Sequence, residues 1–377
     1  TPCGTLFPYT TLFRSPPTGC GFDYPEVYPA GDGPRNVALG DLDEDGALDA
    51  VVTNAYDNSF SVLLGNGDGS FDPPLDFIDV GDTPWAVRLL DMDADGVLDV
   101  AVTLRDESAV GLFIGEGAGA WSGDFEPRVT INVSEDPYDL VIADFDGDDI
   151  LDLATTSNEY YVPRVSVRLG AGSDGVWSGS FQSAGNFGVG IGPTGLAVGD
   201  FDEDSIPDLA VACGLEAELD ILHGNGNGTF TNVGALPTGT SPMMVTVDDV
   251  DGAGHDDIVV GNQFSDTISV WLGNGDGTFD PRDDYDAGDG AWAASVILFD
   301  EDLLPDLIVA NWQADTVSVL TGTSSPVGGF ESYDTYYLGD GPSKPAVADL
   351  DGDGWSDAVL ASRDLDSIAV LMGYCEN

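Results

Sequence analysis

The chain has 377 residues, 42% of them hydrophobic, enough for a core, and it sets 68 acidic side chains against 10 basic ones for a formal charge of −58. Such a surface makes nucleic acid and anionic membrane poor partners, and no apolar run is long enough to cross a bilayer, so no membrane insertion is expected. A medium rich in salt or divalent cations would screen the self-repulsion.

Residues 1–19 stand outside everything that follows. They lack an initiator Met and a signal-peptide pattern. The run Pro8-Tyr9-Thr10-Thr11-Leu12-Phe13-Arg14-Ser15 reads like a translated sequencing adapter. This stretch is expected to be an artefact or a disordered tail, and Cys3 falls within it.

From residue 20 to residue 377 one pattern recurs seven times. A Phe (Phe22, Phe71, Phe125, Phe181, Phe230, Phe279, Phe330) opens a segment with alternating apolar residues. A Gly-Asp-x-Pro-like turn follows, with Pro34, Pro84, Pro137, Pro193, Pro242 and Pro342, and Ala291 in the sixth copy. Then come a short apolar run, an acidic loop, a second apolar run, a polar turn, a third apolar run and a glycine-rich turn. Runs such as Asn36–Gly40, Leu48–Thr53 and Phe60–Leu64 are short, rich in Val, Leu and Ala, and bounded by Gly, Asp and Asn, which predicts strands. Four short strands per roughly 50 residues predict an all-β, seven-bladed β-propeller of four-stranded antiparallel blades.

The seventh copy stops at Leu371-Met372-Gly373 without its fourth strand, and Phe22–Gly31 is that strand without a preceding blade. The N-terminal strand is therefore expected to complete the last blade and close the ring. Set against the turn of the first copy, Cys375 takes the place of Gly67 and Cys20 that of Gly69. Residues so placed are within disulfide reach, which predicts a Cys20–Cys375 bond and an oxidising compartment. Cys213 reads as a lone small hydrophobe at a strand end. The four cysteines show no zinc-ligand spacing.

The acidic loop carries the chemistry. Asp41–Asp49 reads DLDEDGALD, with carboxylates at positions 1, 3, 5 and 9 and Gly46 at position 6. Positions 1, 3 and 5 can turn toward one centre. Position 6 needs a left-handed backbone, the carbonyl of position 7 then points inward, and Asp at 9 closes the shell. Hard oxygen donors in a flexible ring suit calcium better than magnesium. Four carboxylates converging without a cation would repel one another. Position 12 is Val52, inside a strand, which excludes an EF-hand.

Loops one, two and seven are complete: Asp41, Asp43, Asp45 and Asp49; Asp91, Asp93, Asp95 and Asp99; Asp349, Asp351, Asp353 and Asp357. Loop three holds Asp144, Asp146, Asp148 and Asp152, with Asp149 at position 6, and loop four holds Asp200, Asp202, Asp204 and Asp208, with Ser205 there. Loop five keeps Asp249, Asp251 and Asp257 but has Ala253 at position 5. Loop six keeps Asp300, Asp302 and Asp306, with Leu298 at position 1 and Leu303 at position 6, and is the one expected to be empty. About five structural calcium ions are expected. The loops supply 26 of the acids, so 42 acids against 10 bases remain elsewhere and the whole surface is acidic.

This pattern resembles the FG-GAP/VCBS repeat of the integrin α-subunit propeller and its bacterial relatives, over residues 20–377. The resemblance implies that each loop joins the first and second strands of a blade. It also implies calcium ligation by side chains 1, 3, 5 and 9 with the carbonyl of position 7, here Ala47, Val97, Ile150, Ile206, His255 and Trp355.

Strand order puts the acidic loops and glycine-rich turns on one face and the proline turns and strand-two loops on the other. The second face carries Tyr56, Tyr160, Tyr161, Phe264 and Trp312 in its loops, Trp85, Tyr138 and Trp292 after the turns, and Arg35, Arg105, Arg363 and Lys344 nearby. Tyr56, Tyr160, Phe264 and Trp312 are the candidate ligand-binding residues, because exposed aromatics with scattered polar groups suit sugar rings or a protein partner. The expected function is a secreted or cell-surface, bacterial binding or adhesion module, a monomer or part of a longer chain. The rival is a polysaccharide-degrading lyase or glycosidase on the same scaffold. A lyase needs a base, yet His223 and His255 fall on the calcium face and Lys344 is the one lysine. A carboxylate pair for glycoside hydrolysis is not excluded by spacing.

Overall fold

Each repeat folds into one four-stranded antiparallel sheet, and seven such sheets form a β-propeller. The computed structural model describes residues 19–75, 77–117, 121–158, 162–302, 304–324, 327–339 and 341–375. The N-terminal tail through residue 18, Tyr160, Tyr161 and Leu303 lie outside the described residues. No α-helix is present among the described residues; a single 3₁₀ turn spans Arg363–Leu365.

Blade one shows the plan. Its strands are Pro34–Gly40, Asp49–Asn54, Ser59–Leu63 and Ile78–Asp79, ordered from the centre outward. Asp49–Asn54 is buried at every position, as are the second strands of the other six blades. A strand covered on both faces reads as a continuous apolar run, which is why these runs lack alternation.

The last blade closes as expected. Glu26–Pro29 pairs with Ser367–Leu371, so the fourth strand of blade seven comes from the N-terminal end. Cys20 sits opposite Cys375 in the pair formed by Cys20–Phe22 and Gly373–Cys375, and the two are disulfide-bonded. Cys213 is a buried free thiol.

The core is divided. Seven hydrophobic clusters each lie between two neighbouring blades. The cluster that joins the ends packs Val37, Val52 and Phe71 of blade one against Leu350, Val359 and Ile368 of blade seven. Side-chain hydroxyls cross between blades nearer the axis: Thr53 donates to the Trp85 carbonyl at 2.7 Å, Thr156 to Thr194 at 2.8 Å and Thr246 to Ala294 at 2.7 Å.

The repeated Phe does not always open the fourth strand. Phe71 and Phe279 make only single bridges, to Gly65 and Gly273. Phe125 belongs to an extra hairpin, Gly115–Gly117 with Trp121–Phe125. In blade three the Phe181 segment extends to a 13-residue strand, Val176–Gly188, paired with Arg164–Ser173. The residue is repeated for packing. Phe230 meets Phe145 edge-on at 5.3 Å, Phe279 meets Phe201 at 5.4 Å and Phe22 meets Phe299 at 5.3 Å. Phe145, Phe201 and Phe299 hold position 2 of the acidic loop one blade earlier, so each loop seats the next blade.

Candidate metal centres and the opposite face

Each acidic loop runs from the first strand of its blade to the second, as from Gly40 to Asp49. Two residues of the turn are left-handed. Position 6 has positive φ at Gly46, Gly96, Gly254 and Gly354, and also at Asp149 and Ser205. Position 4 is left-handed too, at Glu44, Ala94, Gly147, Glu203, Gly252 and Gly352. The spacing alone did not point to position 4, because half its residues are not glycine.

The carboxylates divide into two jobs. Position 9 is at most 1% exposed in all seven blades. Its Oδ2 accepts the N–H of position 2 at 2.7–3.1 Å. Its Oδ1 accepts the N–H of the first glycine in the glycine-rich turn at 2.7–2.9 Å. Loop six, which lacks an acid at position 1, keeps both bonds. Asp at 9 is therefore a brace between loop, strand and turn in every blade.

Burial works against its charge. It raises Asp99 and Asp152 to about 7, and Asp208, Asp257, Asp306 and Asp357 to about 6, against the lowering effect of the two N–H bonds. Asp49 is shifted the same way.

Positions 1 and 5 fold the turn. Oδ2 of position 1 accepts the N–H of position 6 at 2.8–3.0 Å in loops one to five and seven. Oδ1 of position 5 accepts the N–H of position 7 at 2.8–3.0 Å in loops one to four and seven. These bonds leave oxygens over. Oδ1 of Asp41, Asp146, Asp200, Asp202 and Asp249 is buried with no hydrogen-bond partner.

Carboxylate oxygens of Asp41, Asp43 and Asp45 converge within 4.8 Å, as do those of Asp91, Asp93 and Asp99, of Asp144, Asp146 and Asp152, of Asp200, Asp202 and Asp208, and of Asp249, Asp251 and Asp257. A buried carboxylate oxygen without a donor is costly, and several around one point fit a divalent cation. The donor set is all oxygen. Loop five converges although Ala253 replaces its position-5 acid. In loop seven Asp349, Asp351, Asp353 and Asp357 make the same turn bonds. In loop six Asp300 and Asp302 repeat the position-3 and position-5 bonds, and Leu298 supplies no oxygen from its side chain.

The loops also reach the next blade directly. Backbone carbonyls at position 2 accept N–H groups from the following blade: Leu42 from Trp121 at 2.9 Å, Phe145 from Gly228 at 2.9 Å and Phe201 from Gly277 at 2.8 Å. Asp200 N–H donates to Asp256 of blade five at 2.7 Å. Both histidines lie at this junction of blades four and five. His223 faces Asp202, and His255 pairs with Glu203, which raises its pKa.

The other face is built from the proline turns and strand-two loops. The residue before each turn proline, or before Ala291, is left-handed in all seven blades: Gly33, Thr83, Asp136, Gly192, Ser241, Gly290 and Gly341. A Cβ on Gly33 would sit 2.4 Å from the Tyr56 ring, which shows how closely turn and loop pack.

The residues after the turns surround the axis. Trp85 and Tyr138 lie 5.0 Å apart, with Arg35 4.4 Å over Trp85 and Arg105 4.5 Å over it. Arg105 is held by Asp136 at 2.6 and 3.0 Å. Across the axis Trp292 stacks on Trp312 at 5.0 Å, with Arg363 4.3 Å over Trp312. Trp85 and Trp292 are thus half-buried and packed across blade boundaries. Trp312 is half-buried in its stack, whereas Tyr56 and Phe264 are 62% and 65% exposed. Leu215, which holds the same position in its blade, is equally exposed.

Beneath this layer Lys344 donates to the Val245 carbonyl at 3.0 Å, and Arg88 pairs with Asp139 at 2.8 Å. Burial lowers the Lys344 pKa to about 8; Asp139 nearby acts the other way and Arg88 adds to the lowering. The cavity lined by Arg35, Trp85, Tyr138, Trp292, Trp312 and Lys344 measures about 20 Å³, room for a water and no more.

A family model described as an FG-GAP-like repeat matches residues 41–102, 91–155 and 200–260. No curated protein matches. Among solved structures, BBS1N in complex with ARL6DN has a TM-score of 0.61 at 14% identity, over 94% of this chain and 96% of that one. The exotype rhamnogalacturonan lyase YesX has a TM-score of 0.51 at 13% identity, over 93% of this chain and 74% of that one. An Agrocybe aegerita lectin that recognises non-reducing terminal N-acetylglucosamine has a TM-score of 0.50 at 18% identity, over 80% of each chain. At these identities the likeness establishes the fold alone. The three FG-GAP-like matches span the acidic loops of blades one to five, and all seven blades are built on the same loop plan, so the chain is a seven-bladed β-propeller of FG-GAP-like repeats.

Proposed function

We propose that this propeller is a calcium-stabilised, secreted or cell-surface binding module whose ligand, a carbohydrate or a protein, docks on the face opposite the acidic loops. The observation that carries this reading is the difference between the faces. The acidic loops repeat one bonding scheme around the ring. At the second residue after strand two, the described residues of the opposite face instead present Tyr56, Asp106, Leu215, Phe264, Gln313 and Asp364, which share no single chemistry. Exposed aromatic and aliphatic side chains set among acids suit a partner surface. The Cys20–Cys375 bond fits an oxidising compartment.

Calcium would be held by the loop carboxylates at positions 1, 3, 5 and 9 with the carbonyl of position 7. The cation supplies positive charge to oxygens that have no hydrogen-bond donor. The chain's own part is to fold the turn, brace it through position 9 and seat the next blade's Phe upon it.

A glycan array and a partner pull-down in calcium test the reading. A hit is expected that weakens at least tenfold in Tyr56→Ala/Phe264→Ala without a change in melting temperature. Silence in both assays would sink it.

The second reading is a polysaccharide-degrading enzyme, which Lys344 favours as a base whose pKa is brought toward neutrality. Its position weighs against this reading. A sugar cannot enter a space of about 20 Å³ under the Trp85–Tyr138 and Trp292–Trp312 pairs.

A further inference from the structure

In a chain this acidic, a cation without a carboxylate partner calls for an explanation. Arg35, Lys344 and Arg168 make no ion pair with a described carboxylate. Arg35 lies between Trp85 and Tyr56, and Lys344 lies in the closed throat. Arg168 lies elsewhere, on the flank of the disc between the outer strands of blades two and three. There it borders a cavity of about 480 Å³, within the range of small-ligand sites.

Arg168 is held in place by both blades. Its Nε donates to the Asn132 carbonyl at 2.7 Å, and Nη1 donates to the Val167 carbonyl at 2.9 Å and to Ser183 Oγ at 3.3 Å. All three acceptors are uncharged, and Nη2 has no partner among the described residues. The rest of the wall combines exposed Thr130, Asn132, Ser180 and Ser183 with Phe181 and the apolar Val129 and Ile131. An orienting arginine, hydroxyls, an amide and one aromatic ring are what a pyranose bearing an anion requires.

We propose that the groove between blades two and three binds a sugar ring carrying a carboxylate or a sulfate, with Arg168 as the anion contact. The site is separate from the aromatic face, so either can fail without the other. The sugar is preferred to an acidic peptide because the groove is a half-open hollow that sets three hydroxyls and an amide around the guanidinium. A peptide would instead extend along the edge strand Val129–Asn132.

Calorimetric titration of the full chain in calcium, with digalacturonate, singly sulfated galactobiose and neutral galactobiose, tests this. One acidic sugar is expected to bind at least tenfold more tightly than the neutral one, and which of the two does so separates carboxylate from sulfate. Arg168→Gln is expected to weaken that binding about tenfold or more. Thr130→Trp, which fills the groove from its exposed side, is expected to abolish it with melting unchanged. Should Arg168→Gln fail to fold, Thr130→Trp alone decides. The proposal is overturned if neither acidic sugar binds, if binding survives Thr130→Trp, if it is lost in Tyr56→Ala instead, or if a hexaglutamate peptide titrated alongside the sugars binds more tightly than either and loses that binding in Thr130→Trp.

Discussion

Asp43 and Asp306 look alike as loop aspartates, but they answer to different forces. Asp306 sits in the loop whose position 1 is Leu298, yet it still accepts N–H groups from Phe299 and Gly322. Replacing it with Ala leaves both donors buried and unpaired. Asp306→Ala should therefore cost about 2–4 kcal/mol, in chelator as in calcium. Asp43→Ala should cost up to about 2.7 kcal/mol in saturating calcium, the contribution of one site at 100 times its dissociation constant, and close to nothing in chelator. Chemical denaturation of both variants with and without calcium separates the two roles.

Lys344 gives a residue-scale test in pH. Its folded pKa, lowered to about 8, lies below the value near 10.5 expected when unfolded. The unfolded chain therefore binds more protons between those limits, and stability rises with pH across them. The stabilising contribution is complete above the unfolded value and is lost as pH falls through 8. Measured against Lys344→Met, the parent should gain stability between pH 8 and pH 10.5. A flat difference over that window would contradict the desolvated ammonium.

At the scale of the element, the acidic loop stores strain at position 4. Ala94 has a φ of 60° and no side-chain task there. A left-handed L-residue costs about 1–2 kcal/mol, part of which a glycine would return as unfolded-chain entropy. Ala94→Gly should raise stability by about 0.5–1 kcal/mol, read as a higher melting midpoint.

Position 4 also marks a limit of what was legible. Gly at position 6, and Asp149 and Ser205 in its place, pointed to a left-handed residue because glycine recurs there. Glu44, Ala94 and Glu203 carry no such sign. The role of position 9 was hidden for a related reason. An aspartate that braces two backbone N–H groups has the same spacing as one that only faces a metal, and the blade without an acid at position 1, which keeps both bonds, shows the bracing role by itself. The blade plan, the closing strand and the cystine were readable because each rests on a fixed offset repeated seven times. The Phe residues were readable as markers but not as inter-blade contacts. Their partners Phe145, Phe201 and Phe299 lie a blade away. The groove at Arg168 had no motif, since it depends on which backbone carbonyls two different blades bring to one guanidinium.

At the scale of the molecule the ring is a chain of blade-to-blade interfaces, each capped on one face by an acidic loop. The cystine ties the ends across 355 residues, and the Glu26–Pro29 strand closes the last blade beside it. Cys20→Ser/Cys375→Ser should cost roughly 3–5 kcal/mol, and limited proteolysis of that variant should cut first near residues 19–31. The loops act on the same interfaces from the other direction. Leu42, Phe145 and Phe201 sit between a carboxylate cluster and the neighbouring blade, so an ion that ordered the loop would also order the interface. Extracellular calcium modules bind with dissociation constants of about 10⁻⁴ to 10⁻³ M. Five such sites near saturation would add on the order of 10 kcal/mol, comparable to the net stability of a domain.

Thermal unfolding at low ionic strength, in millimolar calcium and then in excess chelator, tests this coupling most directly. The account predicts a fall in the melting midpoint of about 15 °C or more on chelation, recovered when calcium is restored and not when sodium is added to the same ionic strength. A midpoint unchanged by chelation, or restored equally by sodium, would contradict it.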